Sequence, residues 1–380
     1  MRNIKDVKKN RVIFISIAMV IAIIAHIIVV LIDNFHKVAF EDATMAEMIS
    51  KSAGVETVDE IRENDLEKIE ELNIGYTGYY DTLVDIEKCT NLRRIIIGYP
   101  DCAMSYYPFA GREEPEPESK ERVKQIEKEL GSILEKCPNI TMIYLSNENG
   151  NCELDNIEFL KKGKKLAVVN LYYQADIDYS PLSEIPHLKG LSFDGCNISK
   201  LDMLDGLTEL ESLWITECDV SKAGQIVNLK SLEDLELENT PLAGSAEELE
   251  IIFESCPNIE TLNVSVDGGN LKDLNFLRNA ENLKGLILVN QSLTDYSAIA
   301  ECLKLKNLSL SGCNISDVGM LTELNNLEYL NLDGTNVSEA KDILKLKNLK
   351  SLSVTNTPLA ENEEQLELIQ KKFLKENTYK

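Results

Sequence analysis

A hydrophobic pattern that returns every 22 residues constrains this chain more than any other feature. One apolar position recurs as Val169, Leu191, Leu213 and Leu235, and again as Leu286, Leu308, Leu330 and Leu352. Two residues after each stands another: Leu171, Phe193, Ile215, Leu237, Leu288, Leu310, Leu332 and Val354. A fixed period of this length marks a solenoid, whose single unit cannot bury its apolar face without neighbours. The apolar-x-apolar core alternates with period two, so one strand face is buried and the other exposed. Adding Leu72, Ile95, Ile143 and Leu262 brings the strand centres to twelve. At roughly 4.8 Å per strand they would form a parallel sheet about 55 Å long.

Single units read Leu188-Lys-Gly-Leu191-Ser-Phe193-Asp-Gly-Cys196-Asn-Ile198 and Leu327-Glu-Tyr-Leu330-Asn-Leu332-Asp-Gly-Thr335-Asn-Val337. The small polar Cys or Thr five residues after the centre is expected to bond the backbone of neighbouring coils. This pattern resembles the leucine-rich repeat in its short bacterial form. The stretch Asp317-Val-Gly-Met-Leu321-Thr-Glu-Leu324 is similar to the ending of internalin-type repeats. The resemblance runs from about Leu66 to Leu359. It implies an α/β solenoid, a horseshoe with about twelve parallel strands on the concave face and short helical segments on the convex face. It also implies an interaction module rather than an enzyme.

The period has two long steps. From Leu235 to Leu262 it is 27 residues, and Leu249, Ile252 and Phe253 there have helical spacing. From Ile95 to Ile143 it is 48, with a second helix expected over Ser119 to Lys136. An insertion at about 98–118 precedes that helix, and its run Glu113-Glu-Pro-Glu-Pro-Glu118 reads as a mobile extended loop. The repeats proper occupy 66–360. A linker and N-terminal cap is expected over 33–65, and a cap helix over 361–380, because an open parallel edge would pair with other chains.

Residues 12–32, Val12 to Ile32, are 21 positions without a formal charge. As a helix they would span about 31 Å, close to a bilayer core. Residues 1–11 form a basic tail with Arg2, Lys5, Lys8, Lys9 and Arg11 against Asp6. The positive-inside rule then expects a single-pass anchor in the cell membrane, with the N-terminus cytoplasmic and the repeats extracellular. A cleaved signal peptide is the competing reading; it would need a small-x-small site, and none directly follows Ile32. The C-terminus at Lys380 carries no wall-sorting motif, so attachment is expected at the N-terminus, unlike wall-anchored internalins.

With 64 acidic and 39 basic residues the net charge is −25, which argues against nucleic acid and anionic membrane surfaces as partners. Nine cysteines outside the cytoplasm would suggest disulfides, but the repeat register argues otherwise. Cys196, Cys218 and Cys313 sit five residues after a strand centre, and Cys89, Cys137, Cys256 and Cys302 six before one. Cys102 falls at a re-entrant position, and Cys152 alone lies outside the scheme. No CxxC pair supports a metal site, and no cofactor motif occurs. Of the three histidines only His187 lies in a repeat, where it reads as a surface connector. No catalytic residues are assigned.

The residues flanking each buried strand centre should face the concave side. There the chain places Tyr144, Asn170, Tyr172, Asp194, Trp214, Thr216, Glu236 and Glu238, with the only tryptophan of the sequence among them. Exposed aromatics beside polar groups are typical interface anchors. The later repeats carry mostly Ser and Asn on this face and read as inert. The expected function is a cell-surface module that binds a protein or glycan ligand. The alternative is a receptor or regulatory subunit of an envelope membrane complex.

Overall fold

The leucine spacing of the sequence becomes the register of one sheet. The computed structural model describes residue 24 and residues 37–98, 113, 115–147, 150, 152–175, 177–185, 187–269 and 271–377. The basic tail, the proposed membrane segment apart from Ile24, most of the insertion, and Cys102 lie outside these residues. Among the described residues no helix is long and apolar enough to cross a membrane.

Among the described residues twelve strands run in chain order through a single parallel sheet. They are β1 (Glu71–Gly75), β2 (Arg94–Ile97), β3 (Met142–Ser146), β4 (Val168–Tyr172), β5 (Gly190–Asp194) and β6 (Ser212–Thr216). The series continues with β7 (Asp234–Glu236), β8 (Thr261–Asn263), β9 (Gly285–Ile287), β10 (Asn307–Ser309), β11 (Tyr329–Asn331) and β12 (Ser351–Ser353). All twelve anticipated centres are Cα partners along one continuous row from Leu72 to Leu352. The architecture is a leucine-rich-repeat solenoid. One continuous core of centre and re-entrant residues lies behind the sheet.

Rows of equivalent residues hold the coils together. Five after the centre, Cys196 donates to the Leu171 carbonyl (3.2 Å) and Cys313 to the Leu288 carbonyl (3.3 Å), each on the preceding coil. Thr335 instead donates within its own coil, to the Leu332 carbonyl (2.6 Å). Thus the cysteines bridge coils as expected, while the threonines close the local turn. Four before the centre runs a second row: Asn91, Asn139, Asn258, Asn282, Asn326 and Asn348 each donate to a carbonyl of the preceding coil. Four after the centre the chain turns left-handed, at Asn239, Asn290, Gly312, Gly334 and Asn356. At Gly312 (φ 69°) a Cβ would lie 2.1 Å from Asn290 Oδ1, so a side chain there would have to displace the Asn290 amide as well as adopt the left-handed conformation. Tyr173 and Glu217 hold the same conformation at β4 and β6, where it is strained. All eight described cysteines, Cys152 included, are buried free thiols, and burial pushes Cys89 and Cys218 up to about 12.

Most convex segments are short 3-10 turns, and the Asp of the internalin-like ending starts them. Asp317 Oδ1 accepts from the Gly319 N–H (2.8 Å), and Asp295 does the same for Ser297 (2.8 Å). True helices appear where the period lengthens. Helix α1 (Ala43–Ser52) buries Met45, Met48 and Ile49 near β1, and the short α2 (Glu63–Leu66) precedes that strand. Helix α3 (Lys120–Lys136) is capped by Ser119, α4 (Ala246–Ser255) by Ser245, and α5 (Glu363–Asn377) follows β12. The end of the insertion is docked rather than free. Thr77 donates to Glu118 (2.9 Å), Tyr79 donates to the Glu113 carbonyl (3.2 Å), and Pro115 rests on Gly78.

The three long convex helices share one device. Each sends an acceptor back to the N–H twelve residues before the preceding strand centre. Glu129 receives Leu83 (2.9 Å), Glu248 receives Ala223 (2.9 Å) and Gln365 receives Ala340 (2.9 Å). Glu129 also accepts from Thr82 and Gln125, while buried Glu127 accepts from the backbones of Asp155 and Asn156 on the following coil. Glu129→Ala would leave buried donors unsatisfied. It is expected to lower stability by about 2–3 kcal/mol, read as a lower guanidinium midpoint. Glu135→Ala, which loses only an exposed pair with Lys162 (3.1 Å), is expected to cost under about 1 kcal/mol.

Candidate ligand-binding face

Strand alternation turns the residues on either side of each centre toward the open sheet face. One row of Cα partners reads Tyr144, Asn170, Ser192, Trp214, Glu236 and Asn263 across β3–β8. A parallel row two residues on reads Ser146, Tyr172, Asp194 and Thr216. The sheet thus sets seven of the eight sequence-derived residues on one face in two groups, and Glu238 follows two residues after the end of β7. Tyr144 and Tyr172 stack with ring centroids 6.0 Å apart and planes at 12°. Asn170 lies in register beside Tyr144 and is only 6% exposed, and its Nδ2 has no hydrogen-bond partner. Asp194 and Thr216, both half-buried, link this group to the second.

The second group centres on Trp214, which is 42% exposed in the middle of the sheet. Its indole N–H donates to Asp234 Oδ2 (2.7 Å), which also accepts from Ser212 Oγ (3.1 Å). Sequence reading missed Asp234 because it counted only residues after each centre. The position before the centre faces the same way, and that alternation was available in the sequence. Glu236 and Glu238 follow, half-buried, and Asn263 Nδ2 donates to Glu238 (3.3 Å). Burial first, then the charges of Glu238 and Asp234, push the Glu236 carboxyl up to about 7. No Lys or Arg pairs with Asp234, Glu236 or Glu238 among the described residues.

The later repeats, read as inert from sequence, and the first two strands differ from this middle region. Over β8–β12 lies a shallow depression of about 520 Å³, floored by Gly285 and Ser309 and edged by exposed Ile287 and Tyr329. Glycine and short side chains make the hollow there, so that face is not featureless. At the other end, Asn73 and Ile96 occupy the same row but are buried. His187 is exposed on a connection, with Nδ1 3.0 Å and 3.1 Å from the two carboxylate oxygens of Glu209. That is a surface pair, equivalent in position to the asparagine row. Among the described residues no cluster of ligating side chains could hold a metal ion.

No known family profile matches the chain. Among solved structures it is similar to an internalin, InlF, from Listeria monocytogenes strain 4b F2365. Identity is 21% over 86% of this chain and 94% of that one, with a TM-score of 0.56. It is also similar to the receptor in a TLR13–ssRNA13 complex, at 18% identity over 77% of this chain, with a TM-score of 0.52. This chain spans 44% of that receptor chain. At such identities the shared property is the leucine-rich-repeat fold.

The environment of Glu236 gives a pH dependence. Its folded value, about 7, lies above the ordinary 4.5, so the folded state holds this proton more tightly than the unfolded chain. Its contribution to stability is full below pH 4.5 and is lost as pH rises through 7. Glu236→Gln is expected to raise the melting temperature by about 2–4 °C at pH 8 and to leave it nearly unchanged at about pH 4. A difference between parent and variant that does not change with pH would show that this carboxyl ionises normally.

Proposed function

We propose that this chain is a non-catalytic binding module of the cell surface that takes a protein or glycan ligand on the sheet face between β3 and β7. The observation that carries this reading is the position of Trp214. A large aromatic exposed at the centre of a sheet, beside carboxylates that no basic side chain among the described residues pairs with, has the amphipathic character of an interface anchor. The stacked tyrosines extend the same face, and the strained backbone at Tyr173 and Glu217 adjoins both groups. The TLR13 neighbour is described in complex with single-stranded RNA. The acids on this face argue against nucleic acid here, because phosphate binding requires a basic surface.

The charge-free stretch Val12 to Ile32, with its basic preceding tail, supports an N-terminal membrane anchor with the repeats outside. Protease added to intact cells is then expected to release repeat fragments. Full protection of the repeats before lysis, with digestion after it, would overturn that topology. For the binding face, the test is capture of partners from solubilised cell envelopes and from surrounding fluid. The double variant Trp214→Ala, Tyr172→Ala is expected to weaken capture at least tenfold, on the scale of interface anchors worth about 2 kcal/mol or more. Undiminished capture by a folded double variant would rule the face out.

A further inference from the structure

We infer that the surface of Trp214 over β6–β7 is a subsite for a lysine or arginine side chain carried by an extended segment of a protein partner. This rests on the binding-face reading above and adds the chemistry of its ligand.

The first ground is a contrast in charge pairing. Along the edge of the same sheet most acids have a basic partner: Glu211 with Lys189 (2.5 Å), Glu260 with Lys284 (2.6 Å) and Glu328 with Lys350 (2.6 Å), while Glu233, exposed beside β7, has none among the described residues. On the face of β7, Asp234 and Glu236 stand two residues apart with Glu238 just beyond, and no cation among the described residues approaches them. A like-charged group of this kind raises the free energy of the unliganded protein, and a cation from outside relieves it.

The second ground is the tryptophan itself. Indole is the preferred aromatic partner for a cation, and attraction grows as the pair is desolvated. The bond from the indole N–H to Asp234 holds the ring beside these carboxylates. An ammonium or guanidinium group there meets a π face and carboxylate acceptors together. An apolar side chain would meet only the ring and would bury the acids at a cost.

The third ground lies two strands away and concerns the partner's backbone. Asn170 belongs to the same register row as Trp214, is more than nine-tenths buried, and keeps an unused Nδ2 donor. A donor of that kind accounts for itself when a ligand supplies an acceptor, and a peptide carbonyl is the ordinary one. Two strand spacings are about 10 Å, or about three residues of extended chain. Between the two positions β5 presents Ser192, preceded on the same face by Gly190 and followed by Asp194, and the short side chains at Gly190 and Ser192 leave room for a backbone to cross.

The chain has one tryptophan, so its fluorescence reports this subsite alone. The full-length protein in detergent is titrated with acetyl-Gly-Gly-Gly-Arg-Gly-Gly-Gly-amide, and with peptides carrying norleucine or glutamate in place of arginine. The arginine peptide is expected to change the emission saturably, and the other two at least tenfold less well. Glu236→Gln combined with Glu238→Gln is expected to weaken arginine-peptide binding at least tenfold, and Asn170→Ala about threefold. Binding is also expected to weaken several-fold from pH 8 to pH 5 as Glu236 takes up a proton. The titratable groups beside it are Asp234 and Glu238, while β6 and β8 present Trp214 and Asn263, which do not titrate.

Equal responses to the arginine and norleucine peptides would overturn the proposal. So would arginine-peptide binding unaffected by the two glutamine substitutions, which would show only general attraction to an acidic chain. A response to maltohexaose with none to the peptides would assign the face to neutral glycans instead. Capture lost in the Trp214, Tyr172 double variant but kept in the Glu236, Glu238 double variant would leave the binding face standing and remove the cationic subsite.

Discussion

The parallel ladder running unbroken from β1 to β12 is the interaction on which everything else in this chain depends. Its strands are only three to five residues long, and each is paired solely with its sequence neighbours. A coil of this kind has no stability of its own, so its apolar face must match the next coil in register. Slipping a strand by one residue would exchange Leu213 with Trp214 and invert the face. The exposure of the tryptophan is therefore a consequence of the same register that buries the leucines. The rows of cysteine thiols and asparagine amides repeat that register along the turns, where the ladder itself does not reach.

Carboxylates do two opposite jobs on this frame. Asp85 is fully buried, yet it accepts from the N–H groups of Glu41 and Asp42 and pairs with Lys88 (2.5 Å). Asp42, Glu127 and Glu129 are likewise buried and satisfied, and they tie the N-terminal helix and α3 to their neighbouring coils. These acids replace the regular turn contacts where the period breaks. Among the described residues Asp234, Glu236 and Glu238 have no basic partner; Asp234 and Glu238 accept from side chains on the same face, and the three acids press on one another. Composition cannot separate the two kinds, because both are acids in an acidic chain. Hydrogen-bond accounting separates them: one set accepts from backbone N–H groups of neighbouring coils, and the other from side chains of its own face.

The legibility of the site followed the legibility of the strands. Tyr144, Asn170, Tyr172 and Trp214 could be placed on one face because period-two alternation is a local rule. Asp234 obeys the same rule on the other side of the centre and was still passed over. The depression at Ile287 and Tyr329 escaped for a different reason. Its walls come from β9 and β11 and its floor from Gly285 and Ser309, so it is a property of adjacent coils and of missing side chains. The docked arm at Glu113, Pro115 and Glu118 was read as free because Pro and Glu alternate there. Its partners, Thr77, Gly78 and Tyr79, stand on a coil some forty residues earlier.

By itself the sequence determined the strand centres, their order, the helices at the two long steps, and the buried places of seven cysteines in register with the repeat. All of these follow from periodicity, because a repeat unit meets the same neighbours at every turn and its apolar positions have only one place to go. Only the tertiary structure decided which polar side chains find partners. It gave Glu129 and Glu248 backbone donors from the preceding coil, left Asn170 with an unused N–H, and gathered three acids beside Trp214 with no base paired to them among the described residues. Those outcomes depend on distances of a few ångströms between coils that lie 20 to 50 residues apart in the chain. A repeating pattern specifies the stacking of coils, but not the pairing of the particular side chains that each coil brings.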